Sequence, residues 1–180
     1  MVLYTERLIL RPWQETDAED LYFYAKDERI GPVAGWPAHQ SVEESRMIIK
    51  EIFMRDEVYA VTLKEDKRAI GLIGLSLSHE SNFPIGDNDA EVSYWIGVPF
   101  WGKGLIPESI KEIIRHGFID LKLDNLWCGY FQGNDQSKIA QEKCGFKYYK
   151  TLAPQFIKLI GETKTEEISR LTKQEWLSLL

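Results

Sequence analysis

The stretch Pro99-Phe100-Trp101-Gly102-Lys103-Gly104-Leu105-Ile106-Pro107-Glu108 decides how this chain is read. It joins a strand-like segment to a strongly helical one. Glycines at 102 and 104 remove Cβ atoms where a ligand must come close to the backbone. The spacing predicts a helix from about Leu105, with Pro107 in its first turn, where a missing N–H costs nothing. The free N–H groups of that turn face back into the loop, and a helix N-terminus carries about half a positive charge. Lys103 adds a mobile cation, so the loop suits a pyrophosphate. Two familiar phosphate loops are excluded by spacing. G-x-G-x-x-G would place its third glycine where Pro107 stands, and G-x-x-x-x-G-K-[ST] needs a lysine where Leu105 stands. A tight turn that merely begins a helix is the plainer alternative for the loop taken alone.

The rest of the chain narrows the class. Its 180 residues predict one ordinary domain, 1–180, large enough for a real core. The composition, 44% hydrophobic and 28% charged, is globular. A net charge of −6 argues against nucleic acid as a partner and accommodates amines or basic peptides. Cys128 and Cys144 do not form a disulfide framework, and His39, His79 and His116 are scattered, so no metal site is expected. The N-terminus is too polar for a signal peptide, and no apolar run approaches the ~18 residues of a membrane span. A cytoplasmic protein without a membrane partner is the expectation.

Working outward from the loop, residues 90–98 read as a long strand. Glu91, Ser93 and Trp95 fall on one face, and Val92, Tyr94 and Ile96 on the other. Before it, Val58–Leu63 and Ala69–Leu77 form a hairpin around a polar turn, and 79–88 is a loop. Further back, Leu8-Ile9-Leu10 is a short strand. Thr16 or Asp17 caps a helix to about Lys26, burying Ala18, Leu21, Tyr22 and Ala25. After a loop around Gly31 and Pro37, the box Ser41-Val42-Glu43-Glu44 begins a helix to about Arg55, with Ile48, Ile49, Ile52 and Phe53 as its apolar side. Beyond the loop, Ile106, Ile110, Ile113, Ile114 and Gly117 stripe a helix. A strand at 126–131 follows, then a short helix from Gly133-Asn134 to Cys144 closed by Gly145, strands at 146–152 and 168–171, and a helix capped by Thr172. The order is that of a mixed α/β domain.

Several of these segments together resemble one family. They are Thr5-Glu6-Arg7-Leu8-Ile9-Leu10-Arg11, Ala90-Glu91-Val92-Ser93-Tyr94-Trp95-Ile96-Gly97, the loop Trp101-Gly102-Lys103-Gly104, Asn134-Asp135-Gln136-Ser137, and Glu142-Lys143-Cys144-Gly145-Phe146. The chain resembles the GNAT superfamily of acetyl-CoA-dependent N-acetyltransferases over about residues 5–178, and within it the branch of ribosomal-protein N-terminal acetyltransferases. It departs at Pro99, where the family's acetyl-CoA motif usually begins with Gln or Arg. The resemblance implies a mixed, mainly antiparallel central sheet with flanking helices and a splayed cofactor cleft.

It also implies roles. Backbone groups of Ile96, Gly97 and Val98 hold the pantetheine arm. Trp101, Gly102, Lys103, Gly104, Leu105 and Ile106 wrap the pyrophosphate. Asn134 touches the pantetheine amide, or serves only as a helix cap. Ser137 protonates the departing thiolate, with Tyr130 and Tyr148 as fallback acids. The reaction is acyl transfer from thioester to amine, and an α-amine at about pKa 8 needs a base less than a lysine amine at ~10.4. Glu91 is the leading base, directly or through water. An N–H at Gly97 or Val98 would polarise the thioester carbonyl. Neither cysteine has a recognisable histidine partner, so a covalent acyl-enzyme is disfavoured. Substrate choice would lie in 28–40, 79–89 and the C-terminal segment. Trp36 is the pocket aromatic or a core plug, and Glu80, Asp87 and Asp89 either attract a cation or are solvated. The acceptor is a protein N-terminus or a small amine. The competing reading is a catalytically silent acyl-CoA-binding module, and the oligomeric state is unreadable.

Overall fold

Alternation in the first strands sends Leu3, Leu8 and Leu10 inward and leaves Tyr4 outside. A computed structural model describes all 180 residues. In chain order its principal elements are β1 (Leu3–Tyr4), β2 (Leu8–Pro12), α1 (Ala18–Ala25), α2 (Gly31–Ala34), α3 (Val42–Ile48), β3 (Val58–Leu63), β4 (Ala69–Leu77), β5 (Asp89–Ile96), α4 (Leu105–Arg115), β6 (Asn125–Phe131), α5 (Asp135–Lys143), β7 (Lys147–Thr151), β8 (Gln155–Ile157), β9 (Glu162–Lys164), β10 (Glu166–Thr172) and α6 (Lys173–Leu177). Two compact units result. The first holds residues 1–74 and 94–109, the second 75–93 and 110–180. Strands β4 and β5 and helix α4 each run through a boundary.

In the first unit β1, β2, β3 and β4 pair antiparallel in that order. The expected hairpin of β3 and β4 is present, and both strands are almost wholly buried. Helix α1 buries Ala18, Leu21 and Ala25 as expected, but Tyr24 takes the inward place read for Tyr22. Asp17 does not cap α1. Its buried carboxylate takes two hydrogen bonds from the Arg11 guanidinium, each 2.8 Å, and one from the Gln14 N–H. At α3, Ser41 caps Glu44 N–H as expected, whereas the Glu44 side chain reaches past it to Gln40 N–H. The helix then changes register, because Ile49–Phe53 forms a π turn closed by Met54 N–H on Ile49 O. One extra residue per turn swings Ile52, expected on the apolar side, out to 52% exposure while Ile49 stays fully buried. A short helical turn, α2, occupies the segment read as loop.

In the second unit the sheet order is β5, β6, β10, β7. β5 and β6 are parallel, as a helical connection through α4 allows, and the other pairs are antiparallel. The parallel ladder runs from Asp89↔Asn125 to Val92↔Cys128 and ends there. β10 is longer than the predicted 168–171, and the hairpin of β8 and β9 lies in a stretch where no strands were expected. Gly145 ends α5 at φ +93°, and Thr172 with Glu175 forms a full capping box on α6, both as expected.

Asp89 is not a solvated loop charge. It begins β5, is 5% exposed, and accepts from Trp127 Nε1 (2.8 Å), Asn125 Nδ2 (2.9 Å) and Gly86 N–H (3.2 Å). Each buried donor left without an acceptor costs about 1–3 kcal/mol. Asp89→Ala is therefore expected to lower the urea midpoint by at least that equivalent with an unchanged slope, read by equilibrium denaturation.

Candidate active site

The glycine loop has the conformation its composition predicts. Gly102 and Gly104 lie at φ +71° and +73°, the left-handed region where a side chain is strained. A Cβ at Gly102 would meet nothing within 4 Å, and at Gly104 only Arg7 Nη2 at 3.7 Å. Conformation rather than crowding therefore requires glycine, and the backbone is left open on that side. Helix α4 begins at Leu105, the predicted residue.

Upstream, β5 ends at Ile96, and residues 98–100 form a 3₁₀ turn instead of continuing the strand to Val98 as expected. Proline at position 99 removes a donor that a ladder would need. Trp101 Nε1 donates to Ile96 O at 3.0 Å, folding the turn back on the strand end. Gly97 N–H donates to Ile70 O at 2.8 Å, so it is committed, and of the two candidate oxyanion donors Val98 is the one left. Val98 opens the turn, and its N–H has no partner within it. Gly97 is required for another reason: a Cβ there would lie 2.5 Å from the Tyr24 ring, which also packs edge-on against Phe100 with centroids 5.7 Å apart.

Sequence reasoning missed the clasp behind the loop. Arg7 Nη1 donates to Lys103 O (3.0 Å), and its Nε and backbone N–H bind the two oxygens of Glu108 (2.7 and 2.8 Å). Thr5 Oγ1 donates to the same carboxylate. Burial opposes the charge on Glu108, but the bonds from Thr5 and Arg7 hold its pKa below the ordinary carboxylate value. Arg7 thus fixes the loop carbonyl and sets a second cation beside Lys103, whose ammonium lies 5.4 Å from the Phe100 ring centre. The signal available was an arginine two residues after a threonine, far too common to single out. Trp36 is half-buried, with its ring 6.0 Å from that of Trp95 and 5.3 Å from that of His39.

The remaining predicted residues belong to the second unit. Glu91 is 5% exposed, and its carboxylate accepts from Ser81 Oγ (2.9 Å), Asn82 N–H (2.7 Å) and Asn82 Nδ2 (3.1 Å). Asn134 caps α5 through Oδ1 to Ser137 N–H at 3.2 Å, which leaves its NH2 for another partner. Ser137 is half-buried, and its hydroxyl accepts from Gln141 Nε2 at 3.3 Å. Gln141 is itself fixed by Gly129 O and the Ser169 hydroxyl. Tyr130 and Tyr148 line a cavity of about 330 Å³ with Gln141, Phe146 and Ser169. Burial, then the charge of Glu167, raises the Tyr130 pKa, while the Tyr148 hydroxyl sits 3.0 Å from Thr151 Oγ1. Burial pushes the Cys144 thiol up to about 11, and Cys128 Sγ donates to Val92 O at 3.2 Å. Glu80 and Asp87 are exposed. No cluster of three His, Cys, Asp or Glu is placed to hold a metal, and no helix is long and apolar enough to cross a membrane.

A family model described as an acetyltransferase (GNAT) domain matches residues 7–147, and the chain belongs to that family. It is accordingly an acetyl-CoA-dependent acyltransferase, and its fold is the mixed α/β GNAT architecture with a mainly antiparallel sheet and flanking helices. An uncharacterised N-acetyltransferase, p20, of Bacillus licheniformis is 28% identical over 129 residues, 69% of this chain and 70% of that one. The crystal structure of a GNAT-family acetyltransferase from Bacillus anthracis superposes with a TM-score of 0.81 at 19% identity, covering 97% of this chain and 99% of the other. A putative ribosomal-protein-serine acetyltransferase from Vibrio cholerae gives 0.77 at 22% identity, over 96% and 97%.

Two outcomes follow from this geometry. Gly102→Ala is expected to cost about 1–2 kcal/mol from its positive φ alone, read as a lowered urea midpoint. Cys144 is expected to resist iodoacetamide at pH 8 in the native protein and to react once unfolded, read by mass spectrometry, because the thiolate is the nucleophile.

Proposed function

We propose that the chain acetylates a primary amine by direct attack on the thioester of acetyl-CoA, as one acetyltransferase domain over residues 1–180. The observation that carries this reading is the pair of left-handed glycines, Gly102 and Gly104, at the N-terminus of α4 with Arg7 and Lys103 beside them. That is an open, positively polarised backbone suited to a pyrophosphate. Trp101 to Ile106 wrap it, and the pantetheine arm lies along residues 96–98. The Asn134 NH2 holds an amide of that arm. Val98 N–H polarises the thioester carbonyl, Trp36 packs against the acceptor, and a carboxylate centre around Glu91 draws off the proton that the amine loses. As the amine nitrogen bonds to the acetyl carbon the C–S bond breaks, and Ser137 hands its hydroxyl proton to the thiolate and regains one from solvent, to which the carboxylate centre returns the amine's proton. The acceptor is an α-amine of a protein N-terminus or a small amine. The Vibrio cholerae relative, a putative ribosomal-protein-serine acetyltransferase, supports the first.

Thermal unfolding with acetyl-CoA tests this without knowing the acceptor. At 100 times Kd a ligand stabilises by about 2.7 kcal/mol. For a domain of this size that is roughly 5–10 °C. Gly104→Glu is expected to abolish the shift. Ser137→Ala is expected to keep it while turnover falls about 10²-fold or more. A bound but inert wild type would mark a silent acyl-CoA module. No shift at millimolar acetyl-CoA would overturn the cofactor assignment.

A further inference from the structure

The face of the second-unit sheet that carries Glu91 holds another acid, Glu166. Directly paired residues share a face, so the pairs Glu91↔Trp127, Ile168↔Gly129 and Glu166↔Phe131 put Glu91, Gly129 and Glu166 on one side. The Glu166 carboxyl lies over Gly129, in the space a Cβ at that position would fill. Glycine at 129 is what admits it. The parallel ladder ends one residue earlier, at Val92↔Cys128, so this carboxyl sits where β5 and β6 stop pairing.

The two acids are held differently. Glu91 is buried, and three donors from Ser81 and Asn82 fix its oxygens. Glu166 is half-buried, and its side chain makes no hydrogen bond to another protein group, while its backbone carbonyl accepts from Leu152 N–H. Other charges nearby are occupied. Lys164 pairs with Glu162 at 3.0 Å and lies over the Phe131 ring, and Arg170 stacks on Trp127 and Tyr149. The Glu167 carboxylate belongs to the opposite face, held by Gln132 and Thr151. The charged group that bears on Glu166 is therefore Glu91. Burial, then that like charge, raises the Glu166 pKa to about 7. A half-buried carboxyl without a donor costs stability in its charged form, and such groups are concentrated at functional sites.

Resting on the acetyl-transfer reading, we propose that Glu166 is the member of the carboxylate centre that takes the proton from the attacking amine, with Glu91 as its fixed neighbour. Proton transfer is most effective when the base titrates near the working pH, and the two environments push the acids toward separate tasks. Glu166 must be ionised to act, so turnover rises with pH through about 7.

The test is thiol release from acetyl-CoA with two acceptor probes, an N-terminal alanyl tetrapeptide and spermidine, across pH 5–9. It is joined by a ¹³C NMR titration of glutamate-labelled protein. In the wild type a carboxyl titrating near 7 is expected, and it disappears in Glu166→Gln. That variant is expected to keep its acetyl-CoA thermal shift while kcat falls about 10²-fold or more and the limb near 7 vanishes, leaving only the limb set by the acceptor amine's own titration. Glu91→Gln removes the like charge, so the Glu166 titration and the limb move to lower pH. Gly129→Ala displaces the carboxyl and lowers kcat. A Glu166 carboxyl titrating in the ordinary range, or a Glu166→Gln enzyme with its limb and kcat intact, overturns the assignment. If neither probe is acetylated by the wild type, the NMR titration decides. A wild type without an acetyl-CoA shift takes the assignment down with the acetyl-transfer reading, whatever the carboxyl titration gives.

Discussion

The buried carboxylate of Asp89 sets the register on which the second unit depends. It stands at the first pair of the parallel ladder between β5 and β6, opposite Asn125, and takes hydrogen bonds from Asn125 and from the indole of Trp127 two residues on. A parallel pair joined through a long helical connection has no tight turn to fix its alignment. A slip of one residue would send every side chain of β5 to the other face. Asp89 resists that slip, because any other register strands a buried acid and the indole N–H together. The placing of Glu91 beside Trp127, and of both on the face of Gly129 and Glu166, follows from it.

The first unit spends its constraints on one loop. Two residues in the left-handed region are unfavourable on their own for anything but glycine, and an exposed glycine loop loses much entropy on ordering. The surrounding bonds offset this. Arg7 and Glu108 tie the loop carbonyl and the first turn of α4 to the turn before β2, and the Trp101 indole fastens the loop to the end of β5. Tyr24 fills the space beside Gly97. An anion would therefore meet N–H groups already held in place, and little of the interaction would be lost in ordering them.

Much of this was legible in the sequence, and the division has a physical basis. The glycine loop, the start of α4, the caps at Ser41, Asn134 and Thr172, and the β3–β4 hairpin were readable because their signals are local: backbone conformation, capping oxygens and period-two alternation. What escaped depends on partners far away in the chain. Asp89 looks like a loop charge and Asp17 like a helix cap until Trp127 and Arg11 are brought to them. The π turn after Ile48 leaves no mark in the apolar pattern that an ordinary helix would not share. The strand end at Ile96 was hidden by apolar residues that continue past it, although Pro99 was the available warning. Glu166 precedes a strand read as beginning at Ile168; extending the alternation by two residues would have set it on the buried face, but not over a glycine of another strand.

The cysteines and the acids bear on the direct attack proposed for this protein. A covalent route needs a nucleophile present as its anion, and burial has pushed the Cys144 thiol to about 11 while Cys128 spends its S–H on the carbonyl of Val92. Cys144 supplies no thiolate near neutral pH, and the Cys128 S–H is engaged. Direct attack needs no such group. It needs the amine neutral and oriented, a donor at the carbonyl oxygen, and somewhere for one proton to go. Removing that proton is the step that water at neutral pH does poorly for an amine of ordinary basicity. A carboxyl raised toward 7 by burial and by a pinned like charge is a stronger proton acceptor than an exposed glutamate, yet is still largely ionised once the pH passes that value. The hydrogen bonds from Ser81 and Asn82 matter for the same reason: they fix the Glu91 carboxylate in place beside Glu166, whose proton affinity its charge raises.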